Sequence, residues 1–151
     1  MSATGVHSID TSITRTNSWL ADIADSLGTD DRRLAFRVAR AWLLTLRDQL
    51  TVDVAVGFGA QLTEVLRGVY YEGWKPGEVP VRSGPAEYAA QYAHEARIRQ
   101  EQVWLAAGVV TAVARRHTVP GAVDRVLALL PAAIRELLEP APTALTAGSG
   151  E

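Results

Sequence analysis

The chain has 151 residues, no cysteine and a formal net charge of -2. That length fits one domain able to bury a core without staples, and the missing cysteines exclude disulfides, thiolate nucleophiles and Cys-ligated zinc or iron–sulfur centres. The slightly acidic balance argues against a dedicated nucleic-acid or anionic-membrane partner; fourteen of the fifteen basic residues are Arg, which reads as GC-rich coding rather than as phosphate contacts.

Residues 1–9 are polar, with no apolar segment of the kind a secretory leader carries, and read as a flexible lead-in. Asp10 or Ser12 can cap a helix over 11–27, where Ile13, Thr16, Leu20, Ile23 and Leu27 share one stripe and Gly28 closes the end. Asp30 or Asp31 caps a second helix reaching about Leu50, its stripe formed by Leu34, Val38, Ala41, Trp42, Thr45 and Leu46. Thr51 caps a third, carried by Ala55, Phe58, Leu62, Val65, Leu66 and Val69 to about Tyr71, with a break expected near 60–63. Gly57 and Gly59 weaken its middle by about 1 kcal/mol each relative to Ala and suggest close helix packing there.

Helical sequence then stops. Arg67-Gly68-Val69-Tyr70-Tyr71-Glu72-Gly73-Trp74-Lys75-Pro76-Gly77-Glu78-Val79-Pro80-Val81-Arg82 concentrates aromatics, glycines and prolines between two helical halves. Pro85 opens the next helix at a position where its missing N–H costs nothing, and 86–98 follows with Tyr88, Tyr92 and Ile98. Residues 100–117 form the most apolar helix, with Val103, Trp104, Ala107, Val110, Val113 and Ala114 in its stripe. It is too short to span a bilayer. Thr118 caps a short helix, Pro131 opens the last, and 140–151 carries no periodicity and reads as a flexible tail.

No segment alternates with period two, so the fold class is all-α: a bundle of six to seven helices over 10–139. The chain also matches itself. Val38–Leu46 aligns with Leu105–Val113, and Thr51-Val52 with Thr118-Val119, at an offset of 67; Leu62–Arg67 aligns with Leu130–Arg135 at 68. This implies two pseudo-symmetric halves, about 10–72 and 85–139.

The segments Asp31-Arg32, Ala35-Phe36-Arg37, Leu46-Arg47-Asp48-Gln49-Leu50, Ala60-Gln61-Leu62 and Leu66–Trp74 together resemble the bacterial domain of unknown function 2267 family over roughly 10–139. The most specific part is Arg-Gly-x-Tyr-Tyr-Glu-Gly-Trp. The family commonly reads Leu-Pro where this chain has Leu62-Thr63. The resemblance implies an all-helical bacterial protein with two related halves and brings no reaction, cofactor or catalytic residue.

Chemistry-bearing patterns are sparse. His94, Glu95, Glu87, Gln91 and Glu101 make a polar face, but the Glu-x-x-His pairs of a di-iron bundle are missing. No Gly-x-Ser-x-Gly elbow or phosphate loop occurs. We therefore expect no catalytic residue, cofactor or metal. Arg33, Arg37, Arg40 and Arg47 share one arc of the second helix and form a candidate basic face, solvated rather than nucleic-acid-binding. Arg67, Tyr70, Tyr71, Glu72 and Trp74 form a candidate interaction patch or structural plug between the halves. The expected function is a non-catalytic, cytoplasmic interaction or accessory protein that binds an unknown protein or itself, with no membrane. The alternative is a small-ligand-binding bundle with a pocket lined by Trp42, Phe58 and Trp104. Less weight falls on nucleic-acid contact and on encapsulin-type cargo, the latter because 145–150 resembles a shell-loading peptide.

Overall fold

Helix α1 (His7–Leu27) starts four residues before the expected 11–27, behind Val6 rather than Asp10 or Ser12. Asp10 lies inside the first turn and its carboxylate accepts from the Thr4 N–H and hydroxyl, at 3.1 and 2.7 Å. The lead-in expected to be flexible is thus helix over 7–9. The computed structural model describes residues 4–139; the expected C-terminal tail, with its cargo-like 145–150, lies outside them.

Gly28 closes α1 in the left-handed conformation, φ 73°. Asp31 opens α2 (Arg32–Asp48), accepting from Arg33 N and Leu34 N. Helix α3 (Val52–Gly59) stops at the expected break, and α4 (Glu64–Tyr71) restarts behind Thr63, whose hydroxyl accepts from Leu66 N. A 3-10 turn at Pro76–Glu78 interrupts the linker. Then come α5 (Pro85–Ala96) and α6 (Val103–His117), the latter behind a 3-10 turn at Gln100–Gln102 rather than starting at 100. The chain ends in α7 (Ala122–Leu127) and α8 (Ala132–Leu138). Thr118 does not cap α7: its hydroxyl donates back to Ala114 O, and Gly121 at φ 87° begins α7 instead. Among the described residues there are eight α-helices and no strand, one more than the upper expectation of seven because the stretch expected as one helix over 51–71 forms α3 and α4.

Helix α2 is the axis. It packs against α1, α4, α5 and α6, and every residue from Ala41 to Arg47 is buried. The expected apolar stripe was too narrow, since a helix covered on all sides must hide every face. Its polar atoms therefore need partners. Trp42 Nε1 donates to Thr111 Oγ1 on α6 at 2.9 Å. The hydroxyls of Thr45 and Tyr88 on α5 hydrogen-bond at 2.9 Å, and Tyr92 OH donates to Val38 O at 2.9 Å. These bonds fix the register of α5 and α6 on α2, which dispersion contacts alone would leave looser. Helix α6 buries Val103, Ala106, Ala107, Val110, Val113 and Ala114. Trp104 lies one residue off that stripe and is 47% exposed, contrary to its expected core role.

Burial raises the phenol pKa of Tyr92 and Tyr88, the latter partly offset by the Thr45 hydrogen bond. Burial and then Tyr71 raise that of Tyr70. A phenol whose folded pKa lies above its unfolded value of about 10 contributes its full stability below that pH and loses it as pH rises toward the folded value. Urea midpoints should therefore fall between about pH 9 and 11, and less steeply for Tyr88→Phe, which lacks one of the three titrations. Equal falls in wild type and variant would contradict this account.

Candidate functional site

The aromatic motif begins where α3 ends. Arg67 Nε donates to Gly59 O at 3.0 Å and Nη2 to Leu62 O at 3.1 Å, so it covers two carbonyls at and just beyond the end of α3. Tyr70 is fully buried, donates its hydroxyl to Ala55 O at 2.8 Å, and lies 6.1 Å from Phe58 between ring centroids. Tyr71 is half-buried with its ring 5.0 Å from Tyr70. A Cβ at Gly59 would stand 2.5 Å from Tyr71 OH and 3.0 Å from Tyr70 Cε2, so this glycine exists for close approach. Gly57 has nothing within 4 Å of such an atom, and the close-packing expectation fails there.

Beyond α4, Gly73 takes φ 70° and Trp74 N donates to Tyr71 O at 3.1 Å. That turn lays Trp74 back on Tyr71 at 5.3 Å. Trp74 is half-buried against the core, and its indole N–H has no hydrogen-bond partner among the described residues. Glu72 is exposed, its carboxylate 3.5 Å from Arg40. Of the five candidate residues, Arg67 and Tyr70 are thus internal structure, and Tyr71, Glu72 and Trp74 remain at the surface.

The candidate basic face is a correction. Its arc exists, but other chain segments cover most of it. Arg47 is 4% exposed; its Nη1 donates to Tyr70 O at 2.8 Å and Glu72 O at 2.7 Å, and its Nε to Asp48 Oδ1 at 2.9 Å. Arg37 Nε donates to Ala96 O at the end of α5. Arg40 pairs with Glu95 at 2.7 Å. Only Arg33 is exposed as expected.

A concavity lies elsewhere, where α3 meets α7. A hollow of about 580 Å³ is lined by Leu50, Val54, Leu129, Leu130, Pro131 and the linker from Pro80 to Gly84. A second, of about 310 Å³, is floored by Phe58 and Val126 and shares Val54 and Leu129 with the first. The two hollows adjoin at Val54 and Leu129, and we refer to the pair as the trough. Leu129 stands 62% exposed on its edge and Val81 40%. The charged lining residues are Arg82 in one hollow and Arg125 in the other; both are exposed and neither forms an ion pair among the described residues. The pocket expected from Trp42, Phe58 and Trp104 survives in one residue: Phe58 is its floor, Trp42 is sealed behind it at 5.9 Å, and Trp104 lines neither hollow. Sequence reasoning missed Arg82, Arg125 and Leu129.

The polar faces hold local structure. His117 Nε2 and Asp22 Oδ2 are 2.7 Å apart, and the His117 ring stacks on Trp19 at 5.2 Å, joining α6 to α1. Among the described residues no group of three or more His, Asp or Glu is placed to hold a metal ion, and no helix is long and apolar enough to cross a membrane.

Arg47→Met should cost about 3 kcal/mol, because the Tyr70 and Glu72 carbonyls and the Asp48 carboxylate lose their donor. Arg33→Met, on the same arc but exposed, should change stability by less than about 0.5 kcal/mol. Gly59→Ala should destabilise by about 1–3 kcal/mol through overpacking, whereas Gly57→Ala should stabilise by about 0.5–1 kcal/mol. Urea midpoints of the four variants check both pairs; similar values within either pair would refute the assigned environments.

A family model described as "Uncharacterized conserved protein (DUF2267)" matches residues 16–137. No curated protein matches the chain.

Proposed function

The chain belongs to the DUF2267 family, and from that premise we propose that it is a non-catalytic interaction protein whose working surface is the trough between α3 and α7. The observation that carries this is an open concavity with an apolar floor, an exposed Leu129 and two arginines without acidic partners among the described residues. Scattered exposed apolar residues are ordinary on any protein surface. An apolar hollow of this size with charges on its edge is the usual form of a binding site.

The test is a pulldown comparing wild type with Leu129→Arg and with the Tyr71→Ala, Trp74→Ala pair. Leu129 is mostly exposed, so its replacement should leave stability within about 0.5 kcal/mol while removing any specific partner. A partner kept by Leu129→Arg and lost with the aromatic pair would move the surface to the Tyr71–Trp74 corner. Recovery of no partner, including a second copy of the chain, would overturn the reading.

One observation favours a small ligand as second reading: the larger hollow, about 580 Å³, lies within the range of small-molecule sites. Thermal-shift screening with lipids, nucleotides and aromatic metabolites tests it, and a flat response across the panel retires it.

The proposal includes a bacterial, cytoplasmic setting, supported by the family resemblance and the absence of cysteine; a fluorescent fusion found in the envelope would contradict it. It also includes descent from a duplicated half. Supporting this are the offsets of 67 and 68 and an order of two longer helices followed by two short ones, repeated. Helix α1 rests on α6 as α5 rests on α2, and α3 meets α7. Residues 10–72 expressed alone should then self-associate, a second copy replacing the missing half. A fragment that stays monomeric counts against duplication.

A further inference from the structure

Resting on the interaction reading above, we infer that the occupant of the α3–α7 trough is an amphipathic α-helix of a partner protein, with acidic residues flanking its apolar face. Three observations converge on that chemistry. The first is length. The lining residues on the α3 side run from Thr51 to Gln61; α3 itself spans Val52–Gly59, seven steps of helix or roughly 10 Å at 1.5 Å per residue, with Thr51 and Gln61 just beyond its ends. Two to three turns of a second helix, lying alongside, match that reach.

The second is shape. The trough consists of two adjoining open hollows, with Leu129 and Val81 exposed at the edge and Phe58, Val54 and Val126 among the lining residues. A bare acyl chain in an open trough leaves much of its apolar surface in water. A helix brings its own polar back, and apolar residues at i, i+3, i+4 and i+7 fill the floor.

The third is charge. The whole chain has a net charge of -2, yet among the described residues the charged side chains lining the trough are Arg82 toward one end and Arg125 toward the other, with no carboxylate in either lining. The local sign is therefore opposite to the molecule's. Acidic flanks complement it, while basic flanks meet one arginine of like charge at each end of the seat. A nucleic acid would use the arginines but leave the apolar floor unfilled.

The experiment uses the full chain against a displayed library of peptides about four turns long, with the selected peptide then measured by fluorescence anisotropy. The expected winners carry helical apolar spacing and net negative flanks. Leu129→Arg should weaken the best of them at least about tenfold. The double variant Arg82→Glu, Arg125→Glu should do the same and regain affinity for that peptide with its Glu residues changed to Lys. The salt dependence should fall with the two arginines removed. Selected peptides with basic or neutral flanks, peptides rich in proline, or no enrichment at all would each overturn the helix inference. So would displacement of the peptide by dodecanoate at equal or lower concentration, which would point to an acyl ligand. The interaction reading fails separately, and only if Leu129→Arg leaves the pulldown unchanged or no partner is recovered.

Discussion

The side chain of Arg47 holds the middle of this fold together. A guanidinium cannot shed its charge, so a buried one requires both a counter-charge and acceptors for its donors. Arg47 finds them in the Asp48 carboxylate and in the carbonyls of Tyr70 and Glu72. The same corner also holds the far end of the linker, because Asp48 O accepts from Val81 N at 2.7 Å. Two neighbouring residues at the end of α2 thus fix where the chain leaves α4 and where it passes ten residues later. The linker around the second tie supplies one wall of the trough through Pro80, Val81 and Arg82. The candidate binding surface is therefore mechanically coupled to the buried arginine.

The device recurs. Arg67 covers carbonyls at the end of α3, Arg47 those at the end of α4, and Arg37 the last carbonyl of α5. Each brings positive charge to the negative end of a helix macrodipole and donors to carbonyls that have no partner within the helix. Short helices of eight residues gain little from propensity alone. The arginines let a bundle with many helix ends bury those ends. This also explains how a chain with fourteen arginines can lack a basic surface stripe: several of them face backbone rather than solvent.

The family signature takes on a different character in that light. Arg67, Gly59 and Tyr70 interlock at the α3–α4 turn, and Gly73 folds Trp74 onto Tyr71. The most specific stretch of sequence is mostly the construction of a corner. The neighbouring trough is made of ordinary residues from three separate segments, and none of them has a motif. Specific sequence and binding surface need not coincide, because a tight corner constrains residue identity more than an open apolar wall does.

Helix periods, a start at Asp30 or Asp31, the Gly28 stop and a break near 60–63 follow from local rules, since caps and turns depend on residues within about four positions. The sequence by itself therefore determined an all-α chain, most of its helix positions and the family. It also indicated the close approach at Gly59. The fate of the arginines was a tertiary matter. Arg33 and Arg47 share one arc of α2 and differ only in what lies over them, and the cover on Arg47 comes from Tyr70 and Glu72, more than twenty positions away. Trp104 and Phe58 show the same limit. Helical spacing tells which residues share a face, but the neighbour packed against that face decides whether it is core, trough or open surface.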